Sequence, residues 1–465
     1  MFVDREFELD MLDEVWSRGV PSLVVIYGRR RVGKTALARV FLEGRGGLYV
    51  IVNYEDVDAA LRDLEDQVSE VVGYRVSFPK LRDFIKFVST YLCKVGGVVV
   101  IDEFQRLAKS GIATLIQEFW DAEISKCGRR ALLILLGSSV GVVEGLARSY
   151  GGPLFGRVGR CIHLKPFTYR VARVFMGGFS EVDRVRLYAI FGGTPHYLRL
   201  INSNLSVKDN VRKNVLEPTA PLREEPYFLI STETRDPDRY LAILTAIANG
   251  ASRISEISSK TGIPVTSLSK YLGVLERTLG IIERVESLLG GRGIYRIKDN
   301  FFRFWFRFVN PSRRLLELGL IDEVLDKVMR GLDSYVATTW EDIALEHFTL
   351  LRREGVVRFT DIGRWWFKGV EIDLVAIDEE GNDAYFIEVK WGTLSNKEVK
   401  EIGKELMMKA RKFPWRRTTR KEHYVIYAKD IKGSITINDV TIYTLKDVAN
   451  LMDKHKPRII KTNSN

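Results

Sequence analysis

The chain has 465 residues, 46% hydrophobic and 28% charged, with a net charge of +11 at pH 7. That length suits about three domains, and the composition is globular, which excludes disordered, collagen-like and fibrous classes. Residues 251–330 carry 14 basic against 9 acidic side chains, whereas residues 1–250 carry 34 against 30 and residues 331–465 carry 23 against 21. The middle segment is therefore the most basic per residue, which permits a polyanion partner there. Apolar runs such as Ala131-Leu-Leu-Ile-Leu-Leu136 stop far short of the roughly 20 residues of a membrane span. The N-terminus is charged from its fourth residue and lacks a signal-like apolar stretch, so a cytoplasmic chain with no membrane partner is expected. Cys93, Cys127 and Cys161 are far apart and the five histidines scattered. Neither a zinc site nor a disulfide framework is expected from them, and the cysteines read as buried or inert.

In chain order, the first informative element is a buried-strand run, Ser22–Tyr27. It leads directly into Gly28-Arg29-Arg30-Arg31-Val32-Gly33-Lys34-Thr35 and a helix that starts Thr35-Ala36-Leu37. This matches the phosphate-binding loop G-x-x-x-x-G-K-[ST] in full. Glycines let the main-chain N–H groups turn towards phosphates, and the helix that follows adds its positive N-terminus. Lys34 is expected to neutralise β- and γ-phosphate oxygens, and Thr35 to hold Mg²⁺. A second strand, Gly96–Ile101, is apolar on both faces, as a strand between helix layers must be, and ends in Asp102-Glu103. Asp102 is expected in the Mg²⁺ shell and Glu103 beside the attacking water. A third strand, Ala131–Gly137, ends in Ser138-Ser139 at the strand edge where ligands meet a doubly wound sheet. Ser138 is a candidate sensor of the γ-phosphate. The glycine-rich stretch Gly151–Arg160 then offers Arg157 and Arg160, either of them a candidate arginine finger.

Phe2-Val-Asp-Arg5-Glu6, the two phosphate-site motifs, the Leu-Gly-Ser-Ser strand end and Gly192-Gly193-Thr194-Pro195-His196-Tyr197 resemble the archaeal ATPases of the STAND branch of AAA+-like P-loop NTPases. The resemblance covers roughly residues 1–310 and implies ATP and Mg²⁺ as cofactors. It also implies that Arg5 lies near the nucleotide base and that Pro195, on a helical lid, approaches the nucleotide.

Residues 239–250, 254–262 and 265–276 read as three helices, the third amphipathic through Leu268, Leu272 and Leu275. Ile281–Ser287 and Ile294–Ile297 flank Gly290–Gly293 as a β-wing, completing the pattern of a winged helix-turn-helix. Thr266, Ser267, Ser269 and Lys270, with Arg292 on the wing, would face DNA, or the module would only pack on neighbouring domains. Phe301-Phe-Arg-Phe-Trp-Phe-Arg-Phe308 reads as core and interdomain packing, because so dense an aromatic block would aggregate if exposed.

Near the C-terminus, Val370–Ile377 and Ala384–Trp391 are strands joined by the polar turn Asp378–Asp383. Glu388 and Lys390, two residues apart, share one face. A hairpin centred on Glu380-Gly381 sets Asp373 opposite Glu388; one centred on Gly381-Asn382 sets it opposite Lys390. Opposed like charges need compensation, which a divalent cation would supply. A helix upstream contributes Glu341. The pattern Glu … Asp-x14-Glu-x-Lys resembles the PD-(D/E)XK nuclease superfamily, although Ile372 stands where a proline usually precedes the aspartate. The resemblance implies Mg²⁺ ligation by Asp373 and Glu388, water activation by Lys390 and a completing role for Glu341. The basic run Arg411–Lys421 would either track phosphates or form a solvated face, and residues 457–465 read as frayed.

The expected fold is α/β: a doubly wound parallel P-loop sheet (1–170), a helical lid (171–235), the winged helix (236–310), a linker helix (311–332) and a restriction-endonuclease-like α/β domain (333–455). The expected activity is Mg²⁺-dependent ATP hydrolysis coupled to a nuclease-like domain, with ATP and DNA or RNA as partners and nucleotide-dependent self-association. Two other classes fit the same residues: a nucleotide-gated signalling or scaffold protein, and a DNA-binding regulator with an inactive nuclease fold.

Overall fold

A computed structural model describes residues 2–291, 293–433 and 439–460, in two compact units. The first comprises residues up to Pro166, with Arg277–Leu279 and the chain end from Arg458. Its elements are β1 (Phe2–Val3), α1 (Glu6–Ser17), β2 (Ser22–Tyr27), α2 (Lys34–Leu42), β3 (Gly47–Ile51), α3 (Val57–Val72), α4 (Leu81–Lys94), β4 (Gly97–Asp102), α5 (Ile112–Ala122), β5 (Ala131–Gly137), α6 (Val140–Ala147) and β6 (Arg160–His163). The parallel sheet runs β3-β4-β5-β2-β6. Its central strands are buried along nearly their whole length, because helices cover both faces. Strand alternation divides the residues of β2: Leu23, Val25 and Tyr27 join the core under α3, α4 and α5, while Val24 and Ile26 join that under α1 and α2. Every strand points its C-terminal end at the edge where the Gly28–Lys34 loop emerges.

Two expectations fail in this unit. Cys93 at the end of α4 and Cys127 just beyond α5 form a disulfide, with Cα atoms 5.3 Å apart. The packing of α4 on α5 brings together two positions 34 residues apart, a proximity that spacing alone does not reveal. Cys161 is the free thiol. The chain end is also not wholly frayed: β14 (Ile459–Ile460) pairs antiparallel with β1, Phe2 opposite Ile460 and Val3 opposite Ile459. Both β1 residues are thereby buried, since two apolar residues at a chain start form a stable edge only when another strand covers them.

The second unit spans Phe167–Glu276 and Gly280–Pro457. It opens with α7 (Tyr169–Ala172), α8 (Glu181–Phe191), α9 (Pro195–Leu198), α10 (Val207–Val211) and α11 (Glu225–Glu233). Three helices follow, α12 (Pro237–Ala248), α13 (Ile254–Thr261) and α14 (Val265–Gly273), then the antiparallel pair β7 (Ile282–Val285) and β8 (Ile294–Ile297). Leu268, Leu272 and Leu275 are buried, and Thr266, Ser267, Ser269 and Lys270 are exposed. Arg292 lies outside the described residues. The aromatic block runs through α15 (Asn300–Phe304) into the following turn, and all six rings are buried.

After α16 (Arg313–Glu317), α17 extends unbroken from Ile321 to Arg353. The boundary expected between residues 332 and 333 therefore falls inside one helix, and that expected after residue 170 falls inside α7. A five-stranded mixed sheet completes the unit in the order β13-β12-β11-β10-β9: β9 (Asp361–Phe367), β10 (Val370–Asp378), β11 (Asp383–Leu394), β12 (Lys421–Ile431) and β13 (Val440–Thr444). Between β11 and β12 lies α18 (Asn396–Ala410), and α19 (Leu445–Lys454) follows β13. One side of the sheet packs Trp365, Ile372 and Phe386 against Leu406, Ala410 and Phe413 of α18 and its continuation. Among the described residues, no helix is long and apolar enough to cross a membrane.

Candidate functional site

The first cluster forms where β2, β4 and β5 end. Gly28 is forced by close approach: a Cβ there would lie 2.3 Å from the Leu164 carbonyl oxygen. Arg31 and Gly33 have φ of 69° and 100°, so the loop winds through left-handed backbone that presents N–H groups on one side. Arg29 is buried, while Arg30 and Arg31 are half-buried. Val32 anchors the loop in the core and Ala36 faces outward on α2. Lys34 is buried at the start of α2, and its Nζ donates to the Gly28 and Arg29 carbonyls at 2.8 and 3.2 Å.

Thr35 donates its hydroxyl to Asp102 Oδ2 at 2.7 Å, which joins the two motifs that the sequence separates by 66 residues of intervening chain. Asp102 Oδ1 accepts the Glu103 N–H at 2.8 Å. Glu103 itself sits at φ 54°, and its Oε2 accepts from Ser138 Oγ at 2.7 Å and from Gln105 Nε2 at 2.5 Å. Arg5 reaches the loop from the start of α1, donating to the Lys165 carbonyl at 2.6 Å and the Val32 carbonyl at 3.3 Å. Burial lowers its pKa against the pull of Glu8 and Asp4. A buried ammonium beside left-handed loop backbone fits a polyphosphate, and hard hydroxyl and carboxylate oxygens within hydrogen-bond distance of each other fit Mg²⁺.

Two residues near this cluster went unread in the sequence. Gln105 is legible afterwards as the polar residue two positions beyond Glu103. Tyr49, whose hydroxyl donates to Asp102 Oδ2 at 2.5 Å, carries no motif.

The two arginine-finger candidates have partners elsewhere in the chain. Arg157 is committed to Asp121, with Nε to Oδ1 at 2.8 Å and Nη2 to Oδ2 at 2.7 Å. Arg160 starts β6 abreast of Val24 and reaches Glu14 at 3.3 Å. The loop emerges beyond Tyr27, abreast of His163 at the other end of the strand, about 10 Å further along. Neither arginine approaches the phosphate loop of its own chain. Pro195 occupies the first turn of α9 in the second unit, where its missing N–H costs nothing. Gly193 beside it accommodates the Phe167 main chain, whose N–H donates to its carbonyl at 2.7 Å.

The second cluster lies on the mixed sheet. The β10–β11 pairs run from Asp378 opposite Asp383 to Leu374 opposite Ile387. The hairpin therefore centres on Glu380-Gly381, and the register leads on to Asp373 opposite Glu388. Asp373 Oδ2 accepts the Val389 N–H at 2.8 Å. Its carboxyl is pushed up to about 7 by burial and by the negative charges of Glu388 and Glu341. Glu388 is buried and accepts from Lys390 Nζ at 2.7 Å. Lys409, projecting from α18, bonds both of its oxygens at 3.2 Å. Glu341 on α17 pairs with Arg364 of β9 at 2.5 Å, and burial raises its pKa despite that partner. The four residues expected from the sequence thus converge, together with two cations, Lys409 and Arg364, that the pattern did not mark. Among the described residues, no group of three or more His, Cys, Asp or Glu is arranged to hold a metal ion as the side chains stand. Two opposed carboxylates nevertheless suit Mg²⁺, which keeps several waters and needs few protein oxygens.

Residues 2–201 match an ATPase domain found predominantly in Archaea, and residues 305–402 match a domain of archaeal and bacterial proteins of unknown function. An uncharacterised protein of Methanocaldococcus jannaschii is 31% identical over 458 residues, covering 96% of this chain and 100% of its own. Among solved structures, a Walker-type ATPase of Pyrococcus abyssi is similar at 23% identity and a TM-score of 0.49, covering 66% of this chain and 96% of that one. The ORC2 protein of Aeropyrum pernix, in its ADPNP–ADP complexes, is similar at 16% identity and a TM-score of 0.45, covering 71% and 97%. The chain belongs to an archaeal family of P-loop ATPase-like proteins in which the ATPase domain is followed by a C-terminal domain shared with archaeal and bacterial proteins of unknown function.

Proposed function

We propose that the protein is a Mg²⁺-dependent ATPase of the STAND type that couples nucleotide state to a DNA-binding winged helix and a nuclease-like C-terminal domain. The observation that carries the ATPase reading is the Thr35–Asp102 hydrogen bond of 2.7 Å beside the buried Lys34 ammonium. Magnesium, when bound, would supply charge neutralisation to the phosphates. Lys34 and the loop N–H groups would hold the phosphates, and Thr35 and Asp102 would offer oxygens to the cation. Glu103, held in place by Ser138 and Gln105, would orient a water and take its proton. Arg5 would border the nucleotide. Calorimetric titration with ATP in the presence of Mg²⁺ tests this directly: saturable heat is expected, and its absence with both ATP and GTP would remove the nucleotide site.

In the second unit, α12–α14 with β7 and β8 would form the winged helix, presenting Thr266, Ser267, Ser269 and Lys270 to a duplex. Asp373 and Glu388 would be the metal oxygens of a nuclease-like centre, with Lys390 placing the attacking water and Glu341 orienting the site. Cleavage of DNA or RNA that requires Mg²⁺ or Mn²⁺ and disappears in Asp373→Ala and Lys390→Ala would support that centre. A second reading, a DNA-binding regulator with an inactive nuclease fold, is favoured by a different observation. A cavity of about 420 Å³ beside Lys390 is lined by Glu398, Glu401 and Glu405 of α18, a wall that repels a phosphate backbone. Salt-dependent DNA binding with no cleavage under any divalent cation would select it.

A further inference from the structure

We propose that Tyr49 is a positioning residue for the cation side of the nucleotide site, holding the Asp102 carboxylate from the neighbouring strand; the inference rests on the ATPase reading above. Three donors converge on that carboxylate. Thr35 Oγ1 and the Tyr49 hydroxyl both donate to Oδ2, at 2.7 and 2.5 Å, and the Glu103 N–H donates to Oδ1 at 2.8 Å. Thr35 belongs to the phosphate loop's own helix and Glu103 is the next residue in the chain. Tyr49 alone among the three comes from a separate strand.

The strand register explains the reach. On β3, Ile51 lies abreast of Asp102 and Tyr49 abreast of Val100. Two residues of strand span roughly 6.6 Å, a gap that a tyrosine side chain leaning along the strand covers. Alternation turns Leu48 and Val50 into one core and leaves Tyr49 on the opposite face, against α2. There the Arg39 guanidinium of α2 sits 5.1 Å from the centre of its ring. The ring is thus held from the phosphate-loop helix while the hydroxyl grips the strand that carries the acid.

Packing needs only the ring, and phenylalanine would supply that. The hydroxyl is explained by its bond to Asp102. With two donors on Oδ2 and one on Oδ1, the carboxylate keeps one lone-pair site, on Oδ1, in a fixed direction, which matters for Mg²⁺ because its octahedral geometry tolerates little misplacement.

The test is the Mg²⁺ dependence of binding of a fluorescent ADP analogue, read by anisotropy, in wild type, Tyr49→Phe, Thr35→Ala and Lys34→Ala. Tyr49→Phe is expected to keep its affinity without metal within about twofold, while the Mg²⁺ concentration for half-maximal tightening rises about tenfold or more, the range expected for losing one bond to a charged acceptor. Thr35→Ala should abolish the Mg²⁺ response. A Tyr49→Phe curve that superimposes on wild type overturns the proposal. So does an equal loss with and without metal, since that is what a purely structural tyrosine would produce. Lys34→Ala reports on a different point: wild-type nucleotide affinity in that variant would sink the nucleotide-site reading, whatever Tyr49→Phe does.

Discussion

The phosphate-loop cluster and the carboxylate hairpin are both polar, both at strand ends or strand centres, and both marked by short motifs, yet their charges are balanced differently. At the loop, acid and hydroxyl bond to each other: Thr35 to Asp102 and Ser138 to Glu103. The positive groups there, Lys34 and the loop backbone, surround a place for an anion. On the hairpin, acids are met by bases: Glu388 by Lys390 of its own strand and by Lys409 of α18, and Glu341 of α17 by Arg364 of β9. In the first arrangement the acids are met by neutral hydroxyl donors, and the Lys34 ammonium donates to loop carbonyls. The second is neutralised internally, so a metal ion must compete with ammonium groups already in place. A motif names the residue types, but the partners of each residue decide what the motif can do.

The largest test of this contrast is Lys34→Ala. Phosphate release from ATP should fall by at least about a hundredfold, the scale on which losing one preorganised contact to developing charge is felt; unchanged release would break the loop half of the comparison. Next is Glu103→Gln, which preserves size and the bonds from Ser138 and Gln105 but removes the base. ATP should still bind while turnover drops about a hundredfold, and equal rates in stopped single-turnover experiments would take Glu103 out of the mechanism.

A third test concerns stability rather than chemistry. His347 is 1% exposed on α17, its Nδ1 lies 2.7 Å from the Tyr427 hydroxyl, and burial lowers its pKa to about 4 although Asp447 pulls the other way. Between that value and the ordinary 6.5, the unfolded chain takes up a proton that the folded chain refuses. The stabilising contribution is therefore complete above about pH 6.5 and is lost as pH falls towards 4, by on the order of 2–3 kcal/mol. Urea unfolding of His347→Phe at pH 7 and pH 5 should show a shallower acid loss than wild type, and parallel losses would refute the assignment.

How much of this was legible beforehand follows from the range of the forces involved. The loop, the strand ends at Asp102 and Ser138, the amphipathic third helix and the buried aromatic block are local patterns, and hydrophobic periodicity with glycine placement exposes them. The hairpin needed one further choice, its centre, and the register from Asp378–Asp383 to Leu374–Ile387 settles that in favour of Asp373 facing Glu388. What stayed hidden depends on chain topology. The Cys93–Cys127 disulfide, the β1–β14 pairing and the commitment of Arg157 to Asp121 join residues through packing that spacing does not encode. Tyr49, Lys409 and Arg364 were missed for the same reason, since each acts on an acid carried by another element. α17 continues through residue 332 with no proline to stop it, and Gly331, one residue before, is tolerated inside the helix.

The smallest expected effect bears most directly on the contrast between the two sites. Lys409 holds both oxygens of Glu388 at 3.2 Å and is 20% exposed, whereas Lys390 is 42% exposed and has more room to swing aside. If internal neutralisation is what keeps the hairpin from binding a cation, removing the better-buried ammonium should raise the affinity for one. Lys409→Met keeps the length and apolar stem of the side chain while deleting its charge. Like charges about 4 Å apart repel by roughly 1 kcal/mol in water and more where solvent is partly excluded, so Mn²⁺ should bind about three- to tenfold tighter in Lys409→Met than in wild type, as read by the loss of the free-ion electron paramagnetic resonance signal. The gain should vanish when Asp373→Asn is added, because the ion would then lack one of its two acids. Unchanged Mn²⁺ affinity in the single variant would mean that Glu388 is not a cation ligand held in reserve, and that its two lysines are the partners it has in the working protein.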